Sequence, residues 1–323
     1  FISFFLKNLN MKIKLANPRG FCAGVDRAIE IVRKVLETKG APVYVKHEVV
    51  HNRTVVDELK NLGAIFIEDI NDVPSGETLI YSAHGVSQAV QINSSNRDLY
   101  IFDATCPLVS KVHAEVQMYS KLGRECILIG HANHPEVEGT MGQYNTSLGG
   151  AIYLVESLFD AQKIDVINPR DLAFVTQTTL SVDDTKEIIK TLKLRFPSIK
   201  GPRIDDICYA TQNRQDSVKQ LALESDLILV VGSKNSSNSN RLREIAERSG
   251  VESYLIDTAK DLRPEWFINK SMIGITSGAS APEHLVKEVI DVIKTEYKVD
   301  LPSSFERVDE GVAFRLPKEL RSL

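Results

Sequence analysis

The stretch from Ile101 to His113, IFDATCPLVSKVH, decides the fold. An apolar run (Tyr100, Ile101, Phe102) leads through Asp103-Ala104-Thr105 to Cys106 and Pro107. A segment with helical spacing follows (Val109, Val112, Val116, Tyr119). This predicts a strand handing over to a helix, with Pro107 at a position that suits the first helical residue. A thiol at that junction feels the partial positive charge of a helix N-terminus. That favours the thiolate, the form that binds metal.

Working outward, the same order occurs three times. Cys22 follows the strand-like KIKLA (12–16) and precedes a periodic segment ending at Gly40; Cys208 precedes the helical SVKQLALES. After each cysteine come two polar loops. The first loops stand 29, 28 and 28 residues on (Cys22 to His51, Cys106 to His134, Cys208 to Ser236). The second stand 62, 72 and 72 residues on (Cys22 to His84, Cys106 to Thr178, Cys208 to Ser280). Strands alternating with helices imply parallel sheets with right-handed crossovers, and ligands gather beyond the carboxyl ends of such strands.

The expected fold is therefore α/β: three pseudo-symmetric αβ modules, each a small parallel sheet flanked by helices, facing one central metal cluster. The expected boundaries are 11–100, 101–203 and 204–298, with 299–323, which holds a strand-like VAF, as a tail packed on the modules or a partly disordered end. Residues 1–10 (FISFFLKNLN) lack a basic flank and a small-residue cleavage site. They are read as an extension or cloning artefact before Met11.

Bulk properties exclude several classes. The chain has 323 residues, is 43% hydrophobic and 25% charged, and carries a formal charge of −4. Such a balance leaves no electrostatic footprint for nucleic acid or an anionic membrane. No apolar run approaches the roughly 20 residues of a membrane span. Four cysteines are too few for a secreted disulfide scaffold, which points to a reducing cytoplasm. The P-loop pattern GxxxxGK[ST] is absent.

Cys126, inside the apolar ECILIG, reads as a core residue. The other three occupy equivalent places and read as metal ligands. Structural zinc normally takes four ligands with paired spacing, which this chain lacks, although a Cys3His zinc site is the plain competitor. Three lone thiolates suit three corners of a cubane iron–sulfur cluster and leave one iron open, a mark of Lewis-acid chemistry. Around it the loops offer His51, His84, His134, Glu136, Thr178, Ser236, Ser237, Asn238 and Ser280. Most precede a helix, where unpaired N–H groups favour anions, so a small phosphate ester or diphosphate is expected. Glu136 is the natural proton source. His47 and His131 read as scaffold, His113 and His284 as helix-face residues, and Glu138 as a first-turn acid.

The motifs LANPRGFCAGVDRAI, HEVVHN, SAHGVS, DATCPLV, GHANHPEVEGTMGQY, TQTTLS, DDICYAT, VGSKNSSNSNRL and SGASAP resemble the 4-hydroxy-3-methylbut-2-enyl diphosphate reductases, the last enzymes of the non-mevalonate isoprenoid pathway. The resemblance runs from about Met11 to the C-terminal GVAFRLPKEL. It implies a [4Fe–4S] cluster on Cys22, Cys106 and Cys208 whose fourth iron takes the substrate hydroxyl. It places His51, His84, His134, Ser236, Ser237, Asn238 and Ser280 around the diphosphate, with Glu136 as proton donor and Thr178 in the relay. It also implies flavodoxin or ferredoxin as electron donor, and isopentenyl and dimethylallyl diphosphate as products. An iron–sulfur hydro-lyase, or a non-enzymatic iron–sulfur or zinc sensor, are the rival readings from the residues alone.

Overall fold

The computed structural model describes residues 11–297, 299–302 and 304–321. The expectation for residues 1–10 lies outside them. Elements follow the three laps read from the sequence. The first holds β1 (Met11–Leu15), α1 (Ala23–Lys39), β2 (Val43–Lys46), α2 (Arg53–Asn61), β3 (Ala64–Ile67), β4 (Thr78–Tyr81) and α3 (Gln88–Ser95). The second holds β5 (Tyr100–Asp103), α4 (Pro107–Lys121), β6 (Glu125–Ile129), α5 (Pro135–Met141), β7 (Ile152–Val155), α6 (Leu158–Lys163), β8 (Leu172–Thr176) and α7 (Val182–Arg195). The third holds α8 (Tyr209–Ala222), β9 (Leu227–Val231), α9 (Ser237–Arg248), β10 (Glu252–Ile256), β11 (Met272–Ser277), α10 (Glu283–Glu296) and β12 (Val299–Asp300).

These strands form three parallel sheets, in the orders β10-β9-β11-β1-β12, β3-β2-β4-β5 and β7-β6-β8. The chain divides into two compact units. One comprises the described part of Phe1–Ala23 with His51–Asp57 and Tyr209–Val312; the other comprises Gly24–Val50, Glu58–Cys208 and the described part of Ala313–Leu323. The five-stranded sheet belongs to the first unit and the other two sheets to the second.

The apolar runs of the sequence become strands because both faces are covered, so both alternating sets of side chains must be apolar. In β9, Leu227, Leu229 and Val231 pack with Leu285, Val286, Val289, Ile290 and Ile293 of α10. Ile228 and Val230 point the other way, onto Val218, Leu221 and Ala222 of α8 and Leu242, Ile245 and Ala246 of α9. In β6, Ile127 and Ile129 join Ile188 and Leu192 of α7, while Cys126 and Leu128 join Val112, Val116 and Tyr119 of α4. Cys126 is thus a small core side chain, and burial pushes its thiol pKa up.

Strand membership differs from the expected cuts at 100/101 and 203/204. The strand ahead of a cysteine pairs with strands of the preceding lap: β5 with β4, and β1 with β11 of the last lap. The bridge between Ala173 and Lys200 does the same ahead of Cys208. Each such strand ends beside one that runs into a second polar loop, a register that spacing alone does not fix.

Local structure departs from the sequence pattern at three places. The helix α3 has no apolar stripe because only Ser94 of it is buried; Ser87 caps it by accepting the Val90 N–H. The stretch SKNSSNSN is not loop throughout, since α9 starts at Ser237 behind the N-cap Ser236. The VAF segment forms no strand. Instead Val299 and Asp300 pair with Met11 and Lys12, at the edge of the first unit's sheet.

Gly85 shows how tightly one loop is drawn. Its φ is +74°, and a Cβ there would lie 2.5 Å from Cε1 of His113. His113 itself is buried in α4, and burial pushes its pKa down to about 4, so it is neutral at physiological pH. Gly85→Ala is expected to cost about 1–3 kcal/mol through left-handed backbone strain, and more through the clash. A urea unfolding curve for the variant checks this; an unchanged midpoint would contradict it.

Candidate functional site

The three cysteines have one local design. Each immediately precedes a long helix: Cys22 before α1, Cys106 before α4, Cys208 before α8. Each is half-buried. Each backbone N–H donates to the loop after a neighbouring parallel strand: Cys22 to the Ala279 carbonyl at 3.2 Å, Cys106 to the Ala83 carbonyl at 3.0 Å and Cys208 to the Thr178 carbonyl at 3.0 Å. The sulfur is therefore delivered at a strand's carboxyl end and a helix's positive end, where a thiolate is favoured. Cys106 is the N-cap residue of α4, yet its side chain makes no capping hydrogen bond. Among the described residues no group of three His, Cys, Asp or Glu side chains could hold a single metal ion. A four-iron cluster binds one thiolate per iron, so it does not require that spacing. The donor set of three equivalent soft thiolates fits such a group better than it fits a lone ion.

In the second unit, Glu136 sits in the first turn of α5 and is 3% exposed. One carboxyl oxygen accepts the Thr178 N–H at 2.6 Å; the other lies 3.0 Å from the Thr178 hydroxyl. Burial raises its pKa to about 7, against the two hydrogen bonds from Thr178 that lower it. A carboxyl tuned to neutrality and held at both oxygens can keep or release a proton near physiological pH. The N-cap residue His134 accepts the Glu136 N–H on Nδ1 at 3.2 Å, so its neutral ring carries the proton on Nε2. The His84 ring stands edge-on to that of His134, centroids 5.8 Å apart. His84, His134, Glu136 and Thr178 thus come from the ends of β4, β6 and β8.

In the first unit a second group gathers at the ends of β9 and β11. Ser236 caps α9 by accepting the Ser239 N–H, and its hydroxyl lies 3.5 Å from that of Ser280. The Ser280 hydroxyl donates to the His51 carbonyl at 2.9 Å. Asn238 accepts the Ala279 N–H on Oδ1 at 2.8 Å, which fixes its amide and turns the NH2 towards the Thr211 hydroxyl, 3.5 Å away. The Asn235 amide lies 3.5 Å from Nδ1 of His51. Ser236, Asn238 and Ser280 are buried and Ser237 is half-buried. Oriented hydroxyls and amides, without a lysine among them, make a neutral donor set.

Supporting residues escaped the sequence reading. Ser239 is fully buried and donates to the Ser236 hydroxyl at 3.0 Å. It fits because Gly232 and Gly278 face it: a Cβ on either would lie about 2 Å from its hydroxyl. Glycines ending two neighbouring strands were the available signal. Gln177 receives the His131 N–H and donates to Thr179. His47 has φ +60° and pairs with Glu68, a scaffold role. His284 is exposed on α10 and Glu138 on α5.

Each unit thus carries cysteine and polar side chains beyond the carboxyl ends of parallel strands, the arrangement of an α/β enzyme. The family follows from comparison: the LytB protein model matches residues 13–294, and the chain belongs to that family. It is 62% identical over 311 residues to the 4-hydroxy-3-methylbut-2-enyl diphosphate reductase of Chromohalobacter salexigens, covering 96% of this chain and 98% of that protein. The same enzyme of Pseudomonas putida KT2440 is 63% identical over 311 residues, with the same coverage. Among solved structures, the E-1-hydroxy-2-methyl-but-2-enyl-4-diphosphate reductase from Plasmodium falciparum superposes with a TM-score of 0.88 at 40% identity, covering 96% of this chain and 97% of that one. Among the described residues no helix is long and apolar enough to cross a membrane.

The Glu136 carboxyl carries a consequence for stability. Its folded pKa, about 7, lies above its ordinary value of 4.5, so between those values the folded chain holds a proton the unfolded chain releases. Stability contributed by this group is full below pH 4.5 and is lost as pH rises through 7. Glu136→Gln should flatten that part of the profile. Melting temperatures of both proteins across this pH range check it; parallel curves would contradict it.

Proposed function

We propose that this chain reduces 4-hydroxy-3-methylbut-2-enyl diphosphate to isopentenyl and dimethylallyl diphosphate. The substrate class comes from the relatives' names. The observation that carries the chemistry is the buried Glu136 carboxyl, tuned to about pH 7 against Thr178 in a chain with three equivalent cysteines. Overall, two electrons and two protons are consumed: the allylic C–O bond breaks, one C–H bond forms and water leaves.

Cys22, Cys106 and Cys208 would hold a [4Fe–4S] cluster, which when bound supplies electron entry and an open, Lewis-acidic iron. Glu136 donates the proton that lets the hydroxyl depart as water. Thr178 holds both carboxyl oxygens and hands the proton between carboxyl and hydroxyl. Ser236, Ser237, Asn238 and Ser280, with His51, His84 and His134, bind the diphosphate, each charge-assisted bond contributing about 1.5–3 kcal/mol. The electrons arrive from a flavodoxin or ferredoxin in a reducing cytoplasm. Residues 11–100, 101–203 and 204–298 are three copies of one αβ module that exchange their first strands.

The decisive test is anaerobic turnover of this substrate with a reduced dye. Dye oxidation matched to product supports the reading; conversion without reductant overturns it in favour of a hydro-lyase. Glu136→Gln is expected to lower kcat by about 10²–10⁴-fold with iron and sulfide content unchanged. Replacing Cys22, Cys106 or Cys208 by Ser should lower the iron content, whereas Cys126→Ser should leave it at the wild-type value. Zinc in place of iron in colourless anaerobic protein would exclude the cluster.

A further inference from the structure

Beyond the ligands, each helix that follows a cysteine carries one cation near its start, and each cation binds the loop ahead of a different cysteine. Arg27 stands five residues after Cys22. Its Nη1 donates to the Thr105 carbonyl at 3.1 Å, one residue before Cys106. Lys111 stands five residues after Cys106. Its Nζ donates to the Ile204 carbonyl at 2.6 Å and the Asp206 carboxylate at 2.8 Å, four and two residues before Cys208. Arg214 stands six residues after Cys208. Its Nε and Nη2 donate to the Gly20 carbonyl at 2.9 and 2.6 Å, and Nη2 also to the Phe21 carbonyl at 3.2 Å, two and one residues before Cys22. The order is cyclic: helix one to cysteine two, helix two to cysteine three, helix three to cysteine one.

Composition does not explain this placement. A cation in the early turns of a helix opposes the helix dipole. Arg214 is moreover fully buried, a costly place for a charge without close partners. What offsets both costs is the set of carbonyls these groups satisfy. The C-terminal tail completes two of the three contacts. Glu310 accepts from Arg214 at 3.2 and 3.1 Å, and the Arg315 carbonyl accepts from Arg27 Nε at 2.9 Å. Asp206 is in turn fixed by the Thr176 N–H at 2.9 Å.

We infer that Arg27, Lys111 and Arg214 are positioning residues, a cyclic set of clamps in which the helix behind one cysteine fixes the backbone that aims the next thiol, with Glu310 serving the third clamp from the tail. The assignment of a role to the thiols rests on the three-cysteine cluster proposed above; the clamps are contacts of this chain.

Hydrogen exchange read by mass spectrometry on the full chain tests the cyclic order. Arg27→Gln, Lys111→Met and Arg214→Gln are expected to speed exchange at least about tenfold in residues 103–106, 204–208 and 18–22 respectively, equivalent to about 1.4 kcal/mol of local opening. In each variant the segments ahead of the other two cysteines should stay within about twofold of wild type. Because Arg214 is buried, Glu310→Gln is the gentler second variant and should act on 18–22 alone. Equal acceleration at all three segments would mean general destabilisation and overturn the proposal. So would no change, or acceleration ahead of the cation's own cysteine. Iron and sulfide per chain after anaerobic assembly should fall in all three cation variants; retention in full alongside the exchange pattern would show that the clamps do not serve the cluster. The cyclic pattern in the variants together with a wild-type chain that binds no iron would sink the cluster reading and leave the clamps standing.

Discussion

The structure depends on one kind of backbone bond made three times: the amide of each cysteine donates to the loop that follows a neighbouring parallel strand. Cys22, Cys106 and Cys208 bond the Ala279, Ala83 and Thr178 carbonyls. Each bond fixes where along that loop the cysteine stops. The loops are those that carry Ser280, His84 and Thr178. Thiol and polar side chain are thus brought to the same strand end by the backbone, before any interaction between them. The helix that follows each cysteine then adds its dipole without further adjustment.

Within that scaffold, the tuning of Glu136 is a contest between two terms. Burial disfavours the carboxylate; the Thr178 N–H and hydroxyl favour it. Burial wins, and the result lies near neutrality and not at either extreme. A more exposed carboxyl would hold no proton at pH 7, and an equally buried one without Thr178 would release it reluctantly. The neutral donors around Ser236 and Asn238 follow the same economy. Their orientations are set by neighbouring groups of the same unit, so their direction is fixed in advance.

Much of this was legible in the sequence, and the reasons for the rest are physical. Three cysteines at nearly constant distance from two loops revealed the repeat, because a repeat of fold imposes a repeat of spacing. The strands were visible because both faces had to be apolar. Strand membership was not visible: β1 and β5 are short, and nothing in MKIKL or YIFD specifies a partner. The helix α3 was hidden for want of an apolar stripe, and the start of α9 because its first turn, Ser237 to Asn240, is polar throughout. Glu136 could be picked out from its place beside His134, but its burial could not. Arg27, Lys111 and Arg214 drew no attention, since a cation on a helix is ordinarily a solvated one; only their carbonyl partners distinguish them.

The cyclic pairing places an unusual demand on the chain ends. In the first unit's sheet β1 is an interior strand, flanked by β11 on one side and β12 on the other. Its core residues Met11 and Ile13 are 0% and 4% exposed, and they pack among side chains from β9, β11 and α10. The last sheet therefore cannot be completed by the last lap alone. It takes in the first strand, and with it the loop that carries Cys22. The tail then crosses the same loop: Asn17 bonds Glu306 and Val308, Arg19 bonds the Phe305 carbonyl, and Glu310 meets Arg214. The Cys22 loop is thus held by two segments far from it in sequence. The loops ahead of Cys106 and Cys208 are laid against strands synthesised just before them. A repeat that closes on itself has one seam, and two ion pairs with a buried arginine, Arg19 with Glu283 and Arg214 with Glu310, lie along it. Charged pairs are geometrically more exacting than apolar contacts, which suits a junction whose register no short loop enforces.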